Sequence, residues 1–147
     1  MCGGTGIDIV PVARIANLIR ARGDIFLNRW FTTAEIEYCN RKAVPSRHYA
    51  ARFAAKEAVA KVLPSHWNAS LPWRSIEIVN NAHGAPAVRL SGLPLEVARR
   101  AGIGNIRVSL SHCDEYATAI ALTDCHPTTS DAPSHSAAAE GPSGHES

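Results

Sequence analysis

Two acidic residues, Asp8 and Glu57, stand in apolar stretches of the sequence. Asp8 interrupts the run Gly6–Val10, and Glu57 is the only acid in the Ala-rich segment 46–63. An ionised carboxylate in such a setting costs several kcal/mol unless a cation accompanies it. A buried salt bridge would explain Asp8, and a solvated pair with Lys61 would explain Glu57. The functional alternative is a metal ion held between the two carboxylates.

Three basic residues, Arg52, Lys56 and Lys61, lie on the same Ala-rich segment as Glu57. Arg52 and Lys56 are four residues apart and would share one face of a helix, where like charges repel unless an anion lies between them. Phosphate suits both the donor fork of Arg and the compact charge of Lys. The sequence therefore predicts a phosphate site here, with a solvated basic face as the alternative.

His112 ends a segment in which Val108 and Leu110 alternate with Ser109 and Ser111. A histidine on an apolar face is commonly a hydrogen-bonded core residue, but two serines and a histidine before a turn also suit an anion or proton-transfer site. Carboxylates, cations and an imidazole together suit magnesium-assisted chemistry on a diphosphate. Magnesium takes one or two carboxylates and completes its shell with water and phosphate oxygens.

Hydrophobic periodicity predicts that these residues are positioned by mixed helices and short strands. A period of two residues indicates strands, a period of 3.6 indicates helices, and Gly, Pro or a capping Thr marks their ends. The mixture predicts an α+β fold with a mainly antiparallel sheet. The predicted elements are a strand over 6–10, a helix from Pro11 to Gly23, a short helix capped by Thr32 or Thr33, a long helix over 46–63 ended by Pro64, strands over 73–79 and 86–90, a helix over 94–101, and a hairpin of strands 106–112 and 116–122.

The 147 residues suffice for one domain with its own core, and we assign residues 1–123 to it. Residues 124–147 contain four acids, no Lys or Arg and no Val, Ile, Leu or Phe, which predicts a disordered acidic tail. All 15 basic residues then stand against nine acids in the domain, a net charge of +6. That charge suits an acidic partner or a phosphorylated ligand.

The sequence predicts a cytoplasmic protein with no membrane partner. No apolar run reaches the ~20 residues of a membrane helix, and the first residues lack the basic and apolar regions of a secretory signal. The four cysteines lie far apart, without the spacing of a zinc site, and would stay reduced in the cytosol.

Four motifs, in this order, resemble the holo-acyl-carrier-protein synthases, the small trimeric group of 4′-phosphopantetheinyl transferases. The resemblance covers residues 4–123 and implies the fold of that family, with a mainly antiparallel sheet, one long buried helix, and a homotrimer whose coenzyme sites lie between subunits. The motifs are Gly6-Ile-Asp-Ile9, Arg52-Phe-Ala-Ala-Lys-Glu57 through Lys61, Gly84-Ala-Pro86, and Ser109-Leu-Ser-His112 followed by Tyr116-Ala.

The resemblance implies that the chain transfers the 4′-phosphopantetheine arm of coenzyme A to a serine of an apo acyl carrier protein. Adenosine 3′,5′-bisphosphate would be released, and Mg²⁺ would be held by Asp8 and Glu57. Lys61 and His112 would lie near the diphosphate, and Gly84 to Pro86 beside the adenosine. The implied coenzyme-binding set is Arg52, Lys56, Lys61, Gly84, Pro86, Ser111 and His112, and the implied catalytic set is Asp8, Glu57, Lys61 and His112.

The serine proton needs an acceptor, and the sequence leaves three open: Glu57, Asp8 acting through a metal-bound water, or His112. The carrier protein would belong to fatty-acid, polyketide or another biosynthesis, and the sequence does not distinguish them.

The first helix is predicted to contact the carrier protein. Arg14 and Leu18 lie opposite its core-facing stripe and are followed by Arg20 and Arg22. An exposed Leu among arginines suits an acidic, amphipathic helix, and the resemblance assigns this role to the corresponding helix of the family. An ordinary charged helix face is the alternative.

Two positions depart from the family pattern. Ala85 stands where a basic residue is usual, so a phosphate contact would be lost or supplied by His83 or Arg89. Pro64 follows a helix that commonly ends at glycine soon after the equivalent of Lys61.

Two other classes of function remain possible at this stage. One is a non-catalytic basic module that binds an acidic protein or a nucleic acid, with steep salt dependence for DNA. The other is a magnesium-dependent nucleotide hydrolase, which no Walker-type glycine loop supports.

Overall fold

The computed structural model describes residues 3–64 and 71–125 of the chain. It contains both helices and strands, which confirms the predicted mixture. The elements are β1 (Thr5–Pro11), α1 (Val12–Arg22), α2 (Asp24–Trp30), α3 (Thr33–Asn40), α4 (Pro45–Val62), a 3₁₀ turn (Trp73–Ser75), β2 (Ile76–Asn80), β3 (Pro86–Leu90), α5 (Gly92–Arg100), β4 (Ile103–His112) and β5 (Tyr116–Cys125).

The strands form two antiparallel sheets, as the sequence predicts for an α+β fold. The larger sheet has the order β1-β5-β4, and β2 pairs with β3 in a separate two-stranded sheet. In the larger sheet Asp8 lies opposite Ala119, which in turn lies opposite Leu110. Helix α4 packs across β1 and β5 and fills the core, with every residue of 49–56 buried. Its many alanines let the helix lie close to the sheet.

Gly6 explains how closely β1 approaches α4. A Cβ atom at this position would overlap the carbonyl group of Ala58, so only glycine allows the two elements to touch here. Because side chains alternate along a strand, Gly6, Asp8 and Val10 face the helix, while Ile7 and Ile9 face outward. The glycine therefore brings Asp8 beneath the C-terminal half of α4.

Three local features differ from the predicted elements. Helix α2 is not predicted; it begins directly after Gly23, whose φ of 49° ends α1 and redirects the chain. Trp73–Ser75 is a 3₁₀ turn rather than the start of a strand, because Ser75 N donates to Pro72 O and the Trp73 ring stacks on Trp30 at 4.2 Å. Strand β5 continues through Cys125, two residues past the predicted domain end.

The predicted tail otherwise lies outside the described residues, as does most of the loop predicted after Pro64. Helix α4 ends at Val62, because the residue before a proline is driven out of helical conformation. Within residues 3–64 and 71–125, no helix is both long and apolar enough to cross a bilayer.

Candidate active site

Asp8 and Glu57 both lie next to Lys61 where β1 crosses the C-terminal half of α4, Asp8 as its ion-pair partner and Glu57 one helical turn before it. Lys61 Nζ lies 2.9 Å from Asp8 Oδ1 and also donates to the carbonyl of Ile7 at 2.6 Å. Burial and the negative charge of Asp8 raise the pKa of Glu57, whereas the positive charges of Lys61 and Arg14 lower it. The negative charge of Asp8 therefore acts on Glu57, and the Lys61 side chain links α4 to β1 beside them.

Neither carboxylate is fully buried, which differs from the setting expected from the sequence. The Asp8 side chain is 20% exposed and Glu57 is half-buried, so a ligand can reach both from solvent. The difference arises because β1 lies at the edge of the larger sheet and α4 covers only part of it.

The chemistry of this donor pair fits a hard divalent cation. Of the residues that the structure describes, Lys61 forms an ion pair with Asp8 and none forms an ion pair with Glu57. The same part of the chain contains no cluster of three or more His, Cys, Asp or Glu residues, as a structural zinc site would require. Two carboxylates facing solvent match magnesium, whose remaining ligands are water and phosphate oxygens.

The predicted contact of Lys56 with a coenzyme phosphate is wrong, because its ammonium group is completely buried. Its Nζ lies 2.9 Å from Glu35 Oε2 and donates to the carbonyl groups of Trp73, at 3.0 Å, and Ile76. Burial lowers the pKa of Lys56, and the Glu35 carboxylate opposes that shift. The anion expected beside Lys56 is thus a carboxylate of α3, and the ammonium is not available to a coenzyme.

Arg52 is also buried, and it connects α4 to the turn between β2 and β3. Its Nη2 donates to Asn80 Oδ1 at 2.8 Å, and Asn80 Nδ2 donates to the carbonyl of Gly84 at 2.8 Å. The guanidinium carbon lies 3.8 Å from the ring centroid of Tyr38. Arg52 therefore positions the turn that the sequence predicts beside the adenosine, rather than presenting an exposed charge to a phosphate.

The turn that contains Gly84 and Pro86 is built by asparagine. Asn81 Oδ1 accepts from the backbone N–H groups of His83 and Ala85, and Gly84 has a φ of +81°, which favours glycine. Of the two residues suggested to replace a basic side chain at Ala85, Arg89 is paired with Glu77 at 3.0 Å. His83 is exposed on the turn itself and is the better placed of the two.

His112 ends β4 in an exposed position, and its ring contacts a residue outside the predicted site. The ring of His48, on α4, meets it edge to face with 5.0 Å between centroids. His48 precedes Arg52 by four residues, so helical spacing was a signal that could have revealed it. Ser111 lies on the opposite face of the sheet from His112, so one chain does not bring these two predicted residues together.

Apart from Lys56 and Ser111, the predicted catalytic and coenzyme-binding residues form two groups at opposite ends of α4. Asp8, Glu57 and Lys61 form the carboxylate group. His112 and Arg52, with His48 and the Gly84 turn, form the second group, which we call the imidazole group. Glu57 and His48 are nine residues apart on α4, or about 13 Å along a helix.

Helix α1 lies beside the carboxylate group. The Arg14 guanidinium is 6.0 Å from the ring centroid of Phe53, and Arg14 is exposed, as are Arg20 and Arg22. Leu18 differs from its predicted exposure because it is half-buried against the core. Arg14 therefore lies near the carboxylate group, and α1 offers less apolar surface than expected.

Comparisons with known proteins identify the family. Residues 4–121 match the family model of the 4′-phosphopantetheinyl transferase superfamily. The holo-[acyl-carrier-protein] synthase of Syntrophus aciditrophicus is 40% identical over 124 residues, 84% of this chain and 97% of that protein.

Two crystal structures of such synthases share the fold. The one from Neisseria meningitidis has a TM-score of 0.73 and 30% identity, covering 82% of this chain and 97% of that one. The one from Helicobacter pylori, solved in complex with coenzyme A, has a TM-score of 0.71 and 31% identity, covering 82% of this chain and 100% of that one.

Proposed function

This chain belongs to the 4′-phosphopantetheinyl transferase superfamily and is a holo-[acyl-carrier-protein] synthase, and we propose that it requires Mg²⁺ held by Asp8 and Glu57. The reaction is transfer of 4′-phosphopantetheine from coenzyme A to a serine of an apo acyl carrier protein. The observation that carries the metal assignment is the meeting of two solvent-accessible carboxylates beside Lys61. Family membership favours this activity over the basic binding module and the nucleotide hydrolase.

The residues of the carboxylate group divide the chemistry among them. When bound, Mg²⁺ supplies positive charge that stabilises the phosphate oxygens of the diphosphate. Lys61 is half-exposed and bonded to β1, so its ammonium is held in place to attract the same oxygens. The carrier serine oxygen forms a bond to the phosphorus that bears the pantetheine arm, and the bond from that phosphorus to the bridging oxygen breaks. Adenosine 3′,5′-bisphosphate leaves.

We favour Glu57 as the acceptor of the serine proton. Asp8 is paired with Lys61, and within one chain His112 lies at the other end of α4. Glu57 forms no ion pair among the described residues, so its carboxylate is available to accept the proton.

Incubation of apo carrier proteins with the chain, coenzyme A and Mg²⁺ tests the activity. Intact mass should show the carrier heavier by one phosphopantetheine, and chelation of the metal should abolish the gain. Bisphosphate should not appear when the carrier is omitted, because the reaction requires its serine. Release without a carrier would instead indicate a hydrolase.

An apolar strip on the outer face of the larger sheet supports a homotrimer. Ile7 and Ile9 are 63% and 64% exposed, and Leu122 and Tyr116 on the neighbouring strand are exposed as well. Ile7 lies opposite Ile120, so the apolar residues of β1 and β5 form one continuous strip. Such a surface is unusual on a monomer and marks an interface. Closure around a threefold axis would place Ser111, on the same face, next to a neighbouring subunit.

Placing charge in this strip tests the trimer. The double variant I7K/I9K is expected to sediment as a monomer, because two lysines on each copy would be desolvated at the interface. If the coenzyme site is completed by a neighbour, transfer should fall by on the order of 10²-fold. L93K, at a half-exposed residue of α5, is the control and should keep the assembly of the wild type. An I7K/I9K variant with wild-type sedimentation would contradict the trimer interface.

The exposed arginines of α1 are proposed to bind the carrier protein beside the carboxylate group. Arg14 is the best placed, since its charge reaches Glu57. Charges at the rim of an interface mainly change the association rate. We therefore expect R14E to raise the KM for the apo carrier by roughly tenfold, about 1.4 kcal/mol, with a much smaller change in kcat.

A matched charge reversal on another helix controls for net charge. R100E alters an arginine on α5 that is 81% exposed and should leave the KM for the carrier near the wild-type value. Equal effects of R14E and R100E would point to general electrostatic attraction rather than docking on α1.

We also propose a cytoplasmic location, since coenzyme A and apo carrier must both be present where the chain works. Cys39 and Cys113 are free thiols, as a reducing compartment allows.

A further inference from the structure

His48 lies in a cluster of basic side chains at the N-terminal half of α4. Its ring meets the ring of His112 edge to face, with 5.0 Å between centroids, and lies 6.1 Å from the ring of Tyr38. His48 is half-buried, whereas His112 is exposed. The pair therefore has an inner imidazole covered by protein and an outer imidazole open to a ligand.

The charges around this pair are almost all positive. Asp114, two residues after His112, is already paired with Arg47. Lys42 and Arg52 both lie over the ring of Tyr38, at 4.4 Å and 3.8 Å from its centroid. The groups that face His48 are Tyr38 of α3, Lys42 after α3, Arg47 and Arg52 of α4, and His112 and Asp114 at the hairpin between β4 and β5.

This environment disfavours a proton on His48 in the free protein. Burial lowers the pKa of His48, and the positive charges of His112, Lys42, Arg52 and Arg47 lower it further. A proton on His48 would be favoured if an anion entered the cluster, because the anion would offset the neighbouring cations. The arrangement therefore couples anion binding to protonation of this ring.

We propose that His48 is a positioning residue of the coenzyme site that holds the His112 ring and takes up a proton when a coenzyme phosphate binds beside it. This inference rests on the proposed function, which supplies coenzyme A as the anionic ligand. Three anionic groups are available, the two phosphates of the diphosphate and the 3′-phosphate of the ribose.

The sign of the coupling fixes the expected pH dependence. His48 gains its proton on binding in the pH window above its pKa in the free protein and below its pKa in the complex. Within that window the affinity for coenzyme A falls as pH rises, by at most tenfold per pH unit for one proton. Above the window His48 stays neutral in both states and the dependence vanishes.

Calorimetry in buffers of different ionisation enthalpy measures the proton directly. The wild-type chain is titrated with coenzyme A, and the slope of observed enthalpy against buffer enthalpy gives the number of protons taken up. H48F keeps an aromatic ring against His112 without a titratable nitrogen, and H48A removes both. We expect proton uptake in the wild type and loss of most of it in both variants.

The two variants separate positioning from charge. H48F should retain more affinity for coenzyme A than H48A, because its ring still supports His112. Dephospho-coenzyme A, which lacks the 3′-phosphate, identifies the phosphate involved: its binding should take up fewer protons if the ribose phosphate enters the cluster. Equal uptake would place a diphosphate oxygen there.

Absence of proton uptake in the wild type, or the same uptake in H48F as in the wild type, would overturn the proposal. The measurement needs binding but no turnover. A wild type that binds with proton uptake and does not modify any carrier would count against the transferase assignment and leave the role of His48 standing. Thermal melts of H48F and H48A exclude unfolded samples.

Discussion

Replacing Asp8 by Asn, or Glu57 by Gln, is expected to reduce phosphopantetheine transfer by on the order of 10³-fold while the fold is retained. Both substitutions keep the shape and polarity of the side chain and remove its charge. Asp8 and Glu57 are the only two carboxylates of the carboxylate group, so losing either leaves the divalent ion with a single protein ligand there. The measurement is the initial rate of mass gain of an apo carrier at saturating coenzyme A and Mg²⁺.

Stability separates a chemical effect of these variants from a structural one. Because the pKa of Glu57 is raised in the folded chain, its ionised form costs stability above that pKa, and the cost is relieved as pH falls through it. Metal-free E57Q should therefore be at least as stable as the wild type at pH 7. D8N loses a pair whose lysine is half-exposed, worth about 0–1 kcal/mol.

Thermal melts with ligand provide a second readout of the metal site. A ligand at roughly 100 times its Kd stabilises a folded protein by about 2.7 kcal/mol. Coenzyme A with Mg²⁺ should raise the Tm of the wild type more than coenzyme A with a chelator. D8N and E57Q should lose this difference. Near-normal transfer by either variant would exclude the carboxylate pair as the metal site.

The elements with a strong local signal were predictable from the sequence. The capping box of Thr32 with Glu35 starts α3 as expected, and the alternation in β4 and β5 gives the hairpin and its faces. Pro64 and Gly23 end helices where they were expected to do so. These features depend on the chemistry of neighbours in sequence, which a single chain displays.

The features that were not predictable depend on contacts between distant residues. The sequence shows like charges at Arg52 and Lys56 and calls for an anion, but it does not show that α3 brings a carboxylate to one of them. His48 gained its significance only when the hairpin placed His112 against it.

The Glu35–Lys56 ion pair is expected to be the most sensitive point of the core. Lys56 is 0% exposed and Glu35 is 1% exposed. Glu35 also accepts from the backbone N–H groups of Thr32 and Ile78, both at about the length of a normal hydrogen bond. K56M should lower the free energy of unfolding by about 3–5 kcal/mol, because it leaves a buried carboxylate without its cation. Denaturant titration measures the change.

A surface pair of similar length provides the matched control. R107Q breaks the exposed contact of Arg107 with Asp124, also at 2.9 Å, and should cost about 0–1 kcal/mol. The contrast tests burial, since the two pairs differ little in geometry. A K56M variant that is no less stable than R107Q would show that the pair is dispensable.

The double variant E35Q/K56M tests whether Glu35 and Lys56 stabilise the fold by attracting each other or only by filling the core. Burial lowers the pKa of Lys56 despite its partner, so desolvation outweighs the attraction of Glu35 in the folded state. Removing both charges therefore removes a cost as well as an interaction, and the double variant should be more stable than the sum of the single variants predicts. It should not reach wild-type stability, because glutamine cannot accept from both Thr32 and Ile78 as the carboxylate does. Glu57 and Lys61 lie one and five residues beyond Lys56 on α4, so the Glu35–Lys56 pair also fixes the helix that carries them against α3 and β2. Additive effects of the two single substitutions would show that Glu35 and Lys56 do not interact.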